Sequence, residues 1–326
     1  MIISQTPLRV SLVGGGTDLP AFCTREPGAV VSIAIRKYTY VMVNRRFDST
    51  IRVAYSKTEI VDSLPQVQHT IVRAALRLTG IEKQVEITTV GDVPAGTGMG
   101  SSSSLTVGVL NALYAYRGGV TSARQLAEEA CRIELDILDK PIGRQDQYAA
   151  AYGGINHIRF NTDGSVDVEP VPCRKATVNE VERRALLLYT GQRREADEIL
   201  LKQSNGTKDR MPVLRRMRDL ADVMRQALSG EGDLVELCRI MREGWELKRS
   251  LGFGITNPVV DEWYSAATKA GAECGKLLGA GGGGFLFLLA PPERHDAIRE
   301  ALGWPLEVDF SVDPLGSRII FISDRE

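Results

Sequence analysis

Val93-Pro94-Ala95-Gly96-Thr97-Gly98-Met99-Gly100-Ser101-Ser102-Ser103-Ser104 is the stretch on which the fold turns. An alternating, strand-like run at 85–90 precedes it, and a helix-like run at 105–116 follows. Strand, glycine loop and helix start make an anion site, because glycines admit close backbone approach and a first helical turn presents unpaired N–H groups. Its serines add hydroxyls suited to capping that turn and to holding phosphate or a metal ion. The stretch reads as a triphosphate cradle, although glycine loops before Ser-capped helices also occur without a ligand. A P-loop would need Lys where Ser101 stands. A dinucleotide fingerprint would space its glycines G-x-G-x-x-G, whereas this chain has G-x-G-x-G.

With 326 residues the chain can bury a large core, as one two-lobed unit or two domains. A net charge of −1 supplies no field to recruit nucleic acid or a membrane surface. No apolar run approaches the ~20 residues of a membrane helix. The start, Met-Ile-Ile-Ser-Gln-Thr-Pro, carries no basic or apolar leader, and five cysteines are scattered without a C-x-x-C. Both features predict a cytoplasmic protein with reduced thiols. His69, His157 and His295 lack metal-ligand spacing.

Alternation predicts a strand at 8–13 that enters Gly14-Gly15-Gly16-Thr17-Asp18. Asp18 can cap the next segment or accept hydrogen bonds from sugar hydroxyls. Arg9, inside an apolar strand that enters a glycine loop, is expected to face a carboxylate or phosphate. Further strands are predicted at 29–35, 38–44 and 51–54, with Arg36-Lys37 and Arg45-Arg46 as turn charges. A helix is predicted at 66–78, ended by Gly80. Another starts at Ser122, with Leu126, Ala130, Ile133 and Ile137 on its apolar face and Glu134 at the edge of that face. Asp146 lies in a polar cluster, Gly143-Arg144-Gln145-Asp146-Gln147-Tyr148, before a run of small residues; it can be structural or a base. A hairpin is expected at 155–160 and 166–168, then a strand at 185–189. Helices are expected at 194–203, 212–229, 233–249, 258–270 and 294–302. The run from Lys276 to Gly284 is a third glycine loop, or a hinge or bulged turn, before a strand at 285–289. Strands at 306–310 and 318–322 are expected to close the chain.

Three glycine loops in this order resemble the GHMP kinases. The family's first motif appears as Pro7-Leu8-Arg9-Val10 through Thr17-Asp18, its second as Pro94 through Ser102 with Met99 in place of Leu, and its third as Lys276 through Gly284. The resemblance implies an α+β, two-lobed fold with mixed and antiparallel sheets and helices packed on them. A composition shift after about Glu180, into a long helical region, places the lobe boundary near 180–190, with lobes at 1–185 and 186–326. Within the family, Gly14-Gly15-Gly16-Thr17-Asp18, the segment around Asp146 and Thr190-Gly191-Gln192-Arg193-Arg194-Glu195-Ala196 are similar to the enzymes acting on D-glycero-D-manno-heptose 7-phosphate. Fucokinase-like domains share the first loop and are the nearest rival. A binding sensor of the same fold should lack the base or the metal ligand.

The resemblance implies ATP and Mg²⁺ as cofactors and a small sugar phosphate as partner, with a homodimer left open. It implies Asp146 as base and Arg9 as its partner, holding it ionised or meeting the transferring phosphoryl group. Pro94, Gly96, Thr97, Gly98, Met99, Gly100, Ser101, Ser102 and Ser103 would bind ATP, and Ser102 with Glu134 would hold Mg²⁺. Gly15, Gly16, Thr17, Asp18, Gly281 and Gly282 would bind the substrate, the first and third loops closing over the sugar side. A phosphorylated substrate also needs a cationic anchor. Arg193, Arg194, Lys175 and Arg144 are candidates, and Arg194 is favoured by the family's Thr-Gly-x-x-Arg-x-Ala pattern.

Overall fold

The computed structural model describes residues 1–192, 196–230, 233–252 and 254–323. In chain order come β1 (Ile2–Val13), α1 (Pro20–Cys23), β2 (Gly28–Arg45), β3 (Ile51–Ala54), β4 (Thr58–Val61), α2 (Thr70–Thr79), β5 (Val85–Gly91) and α3 (Ser101–Tyr116). Then follow α4 (Ala123–Cys131), a π-helical turn at Arg132–Ile137, α5 (Gln145–Tyr152), β6 (Ile155–Phe160), β7 (Val166–Pro170), α6 (Lys175–Arg184) and β8 (Ala185–Tyr189). The remainder holds α7 (Ala196–Gly206), α8 (Met211–Ser229), α9 (Leu234–Ser250), α10 (Pro258–Ala270), β9 (Cys274–Leu277), β10 (Phe285–Leu289), α11 (His295–Ala301) and β11 (Arg318–Ile322).

An eight-stranded sheet runs β11-β1-β2-β5-β3-β4, with β6 and β7 attached through β2. Its pairs are antiparallel except β3 with β5. A three-stranded antiparallel sheet, β8-β10-β9, lies in the second half. Helices pack on the sheets, as an α+β fold requires. Apolar residues of β2 and β5 bury against α2, α3 and α4. Leu8, Val10 and Leu12 of β1 bury instead against α8, α9 and β10. Arg9 therefore sits on a strand held between two cores.

Some predicted elements change. The strands expected at 29–35 and 38–44 are one strand, β2. The register slips from Pro7↔Tyr38 to Leu8↔Ile35, so Arg36 and Lys37 occupy a bulge rather than a turn. The helix expected at 66–78 begins at Thr70, and Gly80 ends it with φ +68. The strand expected at 306–310 is absent; Glu307 makes only an isolated bridge to Leu188. The four-residue strands β4 and β9 are too short to show a period.

Candidate active site

The second glycine loop sets the geometry. Gly96, Gly98 and Gly100 all have positive φ, a path open to glycine at little cost. Gly100 occupies the N-cap position of α3, so the serines form the first helical turn instead of capping it. Their hydroxyls reach elsewhere. Ser102 and Ser103 donate to Glu134 Oε1 and Oε2, each at 2.7 Å, and Ser104 donates to the Pro7 carbonyl at 2.8 Å.

Arg9 joins this loop to Asp146. Its Nε and Nη2 donate to Oδ1 and Oδ2 of Asp146, both at 2.7 Å, and its Nη1 donates to the Gly98 carbonyl at 2.6 Å. The Arg9 amide donates to the Met99 carbonyl at 3.1 Å. A bidentate guanidinium–carboxylate pair fixes both distance and plane. Asp146 is in the first turn of α5, and a Cβ on Gly100 would stand 3.1 Å from its Oδ2.

Glu134 is fully buried, deeper than the edge position its spacing suggested. The π-helical turn changes the phase of the helix. Glu134 turns inward while Ile137, expected on the apolar face, is 45% exposed. Glu134 also accepts from Gln147 Nε2 at 2.8 Å and pairs with Lys140 Nζ at 3.0 Å. The Lys140 ammonium lies 2.8 Å from Ser102 Oγ as well. Ser102 Oγ and Glu134 Oε1 thus already hold one cation between them. They fit Mg²⁺, which takes one or two protein oxygens plus phosphate and water, once that ammonium moves aside.

Asp18 is no helix cap; Leu19 holds that position of α1 without a side-chain bond. Instead Asp18 accepts from the Gly16 amide at 3.0 Å and the Gln145 amide at 3.2 Å, tying the first loop to α5. Burial, and then the nearby Asp146 charge, push its carboxyl above the ordinary range. Gly143 makes room for it, since a Cβ there would fall 1.8 Å from Asp18 Oδ2.

One cleft is lined by Arg9, Gly15, Gly16, Asp18, Gly96, Gly98, Gly100, Ser101, Ser102, Ser103, Asp146 and Gly281 among the expected residues. Others stand behind its wall. Thr17 is buried and its hydroxyl donates to the Gly14 carbonyl at 2.9 Å. Thr97 is buried with its hydroxyl on the Pro94 carbonyl at 2.9 Å, and Met99 is core. Gly282 faces away, its amide on the Ile255 carbonyl at 2.9 Å and its carbonyl on Asn257. The third loop connects β9 to β10 and backs directly onto the second: Phe285 N donates to the Thr97 carbonyl at 3.2 Å. Gly279, Ala280, Gly281 and Gly283 of this loop also line the cleft, together with Gly15, Gly16 and Asp18 of the first loop.

The expected anchors for a substrate phosphate fare differently. Arg193 and Arg194 lie outside the described residues. Lys175 is exposed at the start of α6, away from the cleft. Arg144 donates to the Gly164 carbonyl at 2.7 Å and lines a separate groove. The cleft's cations among the described residues are Arg9, Lys140 and Lys248. Lys140, Lys248 and Gln203 were missed in the sequence, having no motif to mark them. The Gln203 amide nitrogen is buried and unpartnered in the cleft wall.

The family model for the GHMP kinases N terminal domain matches residues 68–154, and that for GHMP kinases C terminal matches 209–304. The chain is 30% identical to a Campylobacter jejuni D-glycero-alpha-D-manno-heptose 7-phosphate kinase, over 97% of this chain and 98% of that one. It is 27% identical to an Arabidopsis thaliana bifunctional fucokinase/GDP-fucose pyrophosphorylase, covering 94% of this chain and 32% of that protein. Among solved structures, a D-glycero-D-manno-heptose 1-phosphate kinase from Bacteroides thetaiotaomicron superposes with a TM-score of 0.83 at 26% identity, over 99% of this chain and 100% of that one. The motif order, the fold and a full-length relative agree: the chain belongs to the GHMP kinases and is a phosphotransferase.

Proposed function

We propose that the chain transfers the γ-phosphoryl group of ATP to the anomeric oxygen O1 of D-glycero-D-manno-heptose 7-phosphate. The product is the 1,7-bisphosphate, an intermediate toward GDP-heptose and surface polysaccharide, made in the cytoplasm. The Arg9–Asp146 pair at the mouth of the second glycine loop is the observation that carries this reading. Full-length likeness to a heptose 7-phosphate kinase supports the choice of sugar. Residues 1–185 would carry the phosphate loop and the base, and residues 186–326 the helical lobe and the third loop.

In the transfer, the acceptor O–H bond breaks and its oxygen forms a bond to the γ-phosphorus. The bond from that phosphorus to the β–γ bridging oxygen breaks, and ADP leaves with the electron pair. Asp146 accepts the proton. Arg9 holds both carboxylate oxygens, so the base cannot rotate away from the acceptor. The loop from Gly96 to Ser103 orients the triphosphate, with the first turn of α3 facing negative charge. Ser102 and Glu134 would hold Mg²⁺, which when bound neutralises phosphate charge. Positioning and charge neutralisation dominate such loose transition states.

ATP turnover across free sugars and sugar phosphates, with the new phosphate located by NMR, tests the proposal. Turnover of heptose 7-phosphate with a new phosphate on O1 is the expected result. Turnover of free fucose without heptose 7-phosphate would overturn it. ATP binding without transfer to any sugar would leave a sensor.

A further inference from the structure

We propose that Lys248 of α9 and Gln203 of α7 read the phosphoryl acceptor, donating to its oxygen atoms beside Asp18. This rests on the sugar-kinase reading above and adds the residues that choose the sugar.

Lys248 is 6% exposed yet lines the cleft. Its ammonium can donate three hydrogen bonds. Among the described residues it makes one, to the Gly279 carbonyl, and has no carboxylate within ion-pair distance. A buried ammonium so sparsely held carries a desolvation cost that an arriving oxygen ligand removes. Gln203 is 2% exposed, and its Nε2 has no partner. Gly16 stands directly against it: a Cβ there would be 2.3 Å from that nitrogen. The first glycine loop is thus shaped around the Gln203 amide. Both groups have donor capacity left over, so their ligand supplies acceptors, either sugar hydroxyl oxygens or phosphate-ester oxygens.

Burial pushes Lys248 down to about 8, and Arg9 acts in the same direction, while Asp18 and Asp146 oppose it. Those groups, with Lys276, are the charges it faces. The competing role is a tether: Lys248 would merely anchor the third loop through Gly279. A tether acts on the phosphate loop, which Gly279 backs, and so on ATP. A reader of the acceptor acts on the acceptor.

The test uses the full chain carrying Lys248→Met or Gln203→Leu. Acceptor KM is measured with heptose 7-phosphate and with the matching free sugar, alongside affinity for a non-hydrolysable ATP analogue. Lys248→Met is expected to raise acceptor KM by about 10–100-fold, and Gln203→Leu by about fivefold, with analogue affinity unchanged. Lys248→Arg should restore part of the loss. A penalty confined to the sugar phosphate assigns Lys248 to the phosphate; a penalty shared with the free sugar assigns it to a hydroxyl. Wild-type acceptor KM in both variants would overturn the proposal alone. So would analogue affinity falling in step with acceptor affinity. If Lys248→Met does not fold, Gln203→Leu decides by the same criterion. A wild-type chain that neither binds nor phosphorylates any sugar in the panel overturns the functional reading and this inference with it.

Discussion

Gly98 and Gly279 meet backbone to backbone, each leaving no room for a side chain on the other. A Cβ on Gly279 would lie 2.5 Å from Gly98 Cα, and one on Gly98 would lie 2.6 Å from the Leu278 carbonyl oxygen. Two glycine loops far apart in sequence therefore form one wall.

Gly279→Ala should break that wall. Its φ of +73 is also strained for any side chain. The expected cost is about 1–3 kcal/mol in urea unfolding, together with weaker binding of an ATP analogue. An unchanged midpoint and affinity would mean that the loops do not depend on each other.

Asp146→Asn should reduce kcat by about 10²–10⁴-fold, while ATP-analogue affinity persists. The loose transition state favours the lower end of that range. Steady-state rates and a nucleotide titration on the same variant check this; near-normal turnover would remove Asp146 as the base.

Ser102→Ala leaves Glu134 as the remaining protein oxygen of the suggested Mg²⁺ site. The Mg²⁺ concentration needed for half-maximal ATP-analogue binding should rise about 2–10-fold. An unchanged Mg²⁺ titration would show that Ser102 Oγ serves Glu134 alone. Glu134→Ala should also destabilise the fold, by about 1–3 kcal/mol, because it leaves the buried Ser103 hydroxyl and Gln147 amide without their acceptor.

The pH dependence of acceptor binding follows from Lys248. Its ammonium is held near pKa 8 by burial, so it is charged below that pH and neutral above it. Acceptor KM should be low and flat below pH 8 and rise as pH passes through it. The Lys248→Met variant should lack this inflection. A wild-type profile without it would separate Lys248 from acceptor binding.

Motif order carried much of the site. Arg9, Asp18, Asp146 and the second loop lie within contiguous patterns that the sequence displays, and the structure gathers them along one cleft. Other features depend on chain geometry that spacing does not reveal. A 3.6-residue period puts Ile137 on the buried face, and only the π-helical turn, which spacing does not reveal, rotates it outward. Arg36 and Lys37 looked like a turn because a bulge interrupts no hydrogen-bonding signal visible in sequence. Lys248 stands next to Arg249 in the last turn of α9, where cations normally stabilise the helix dipole from solvent. Only the packing of β9 and the third loop against that helix turns Lys248 inward.

The strand that carries Arg9 has β11 as its outer neighbour, with Ile2 opposite Ile322. At typical synthesis rates that partner emerges from the ribosome roughly 15–60 s after β1. For that interval β1 presents an unpaired edge, the feature most prone to joining a neighbouring chain. Yield of the protein in cells should therefore respond to holdase chaperones and to translation speed, even where the finished kinase is stable.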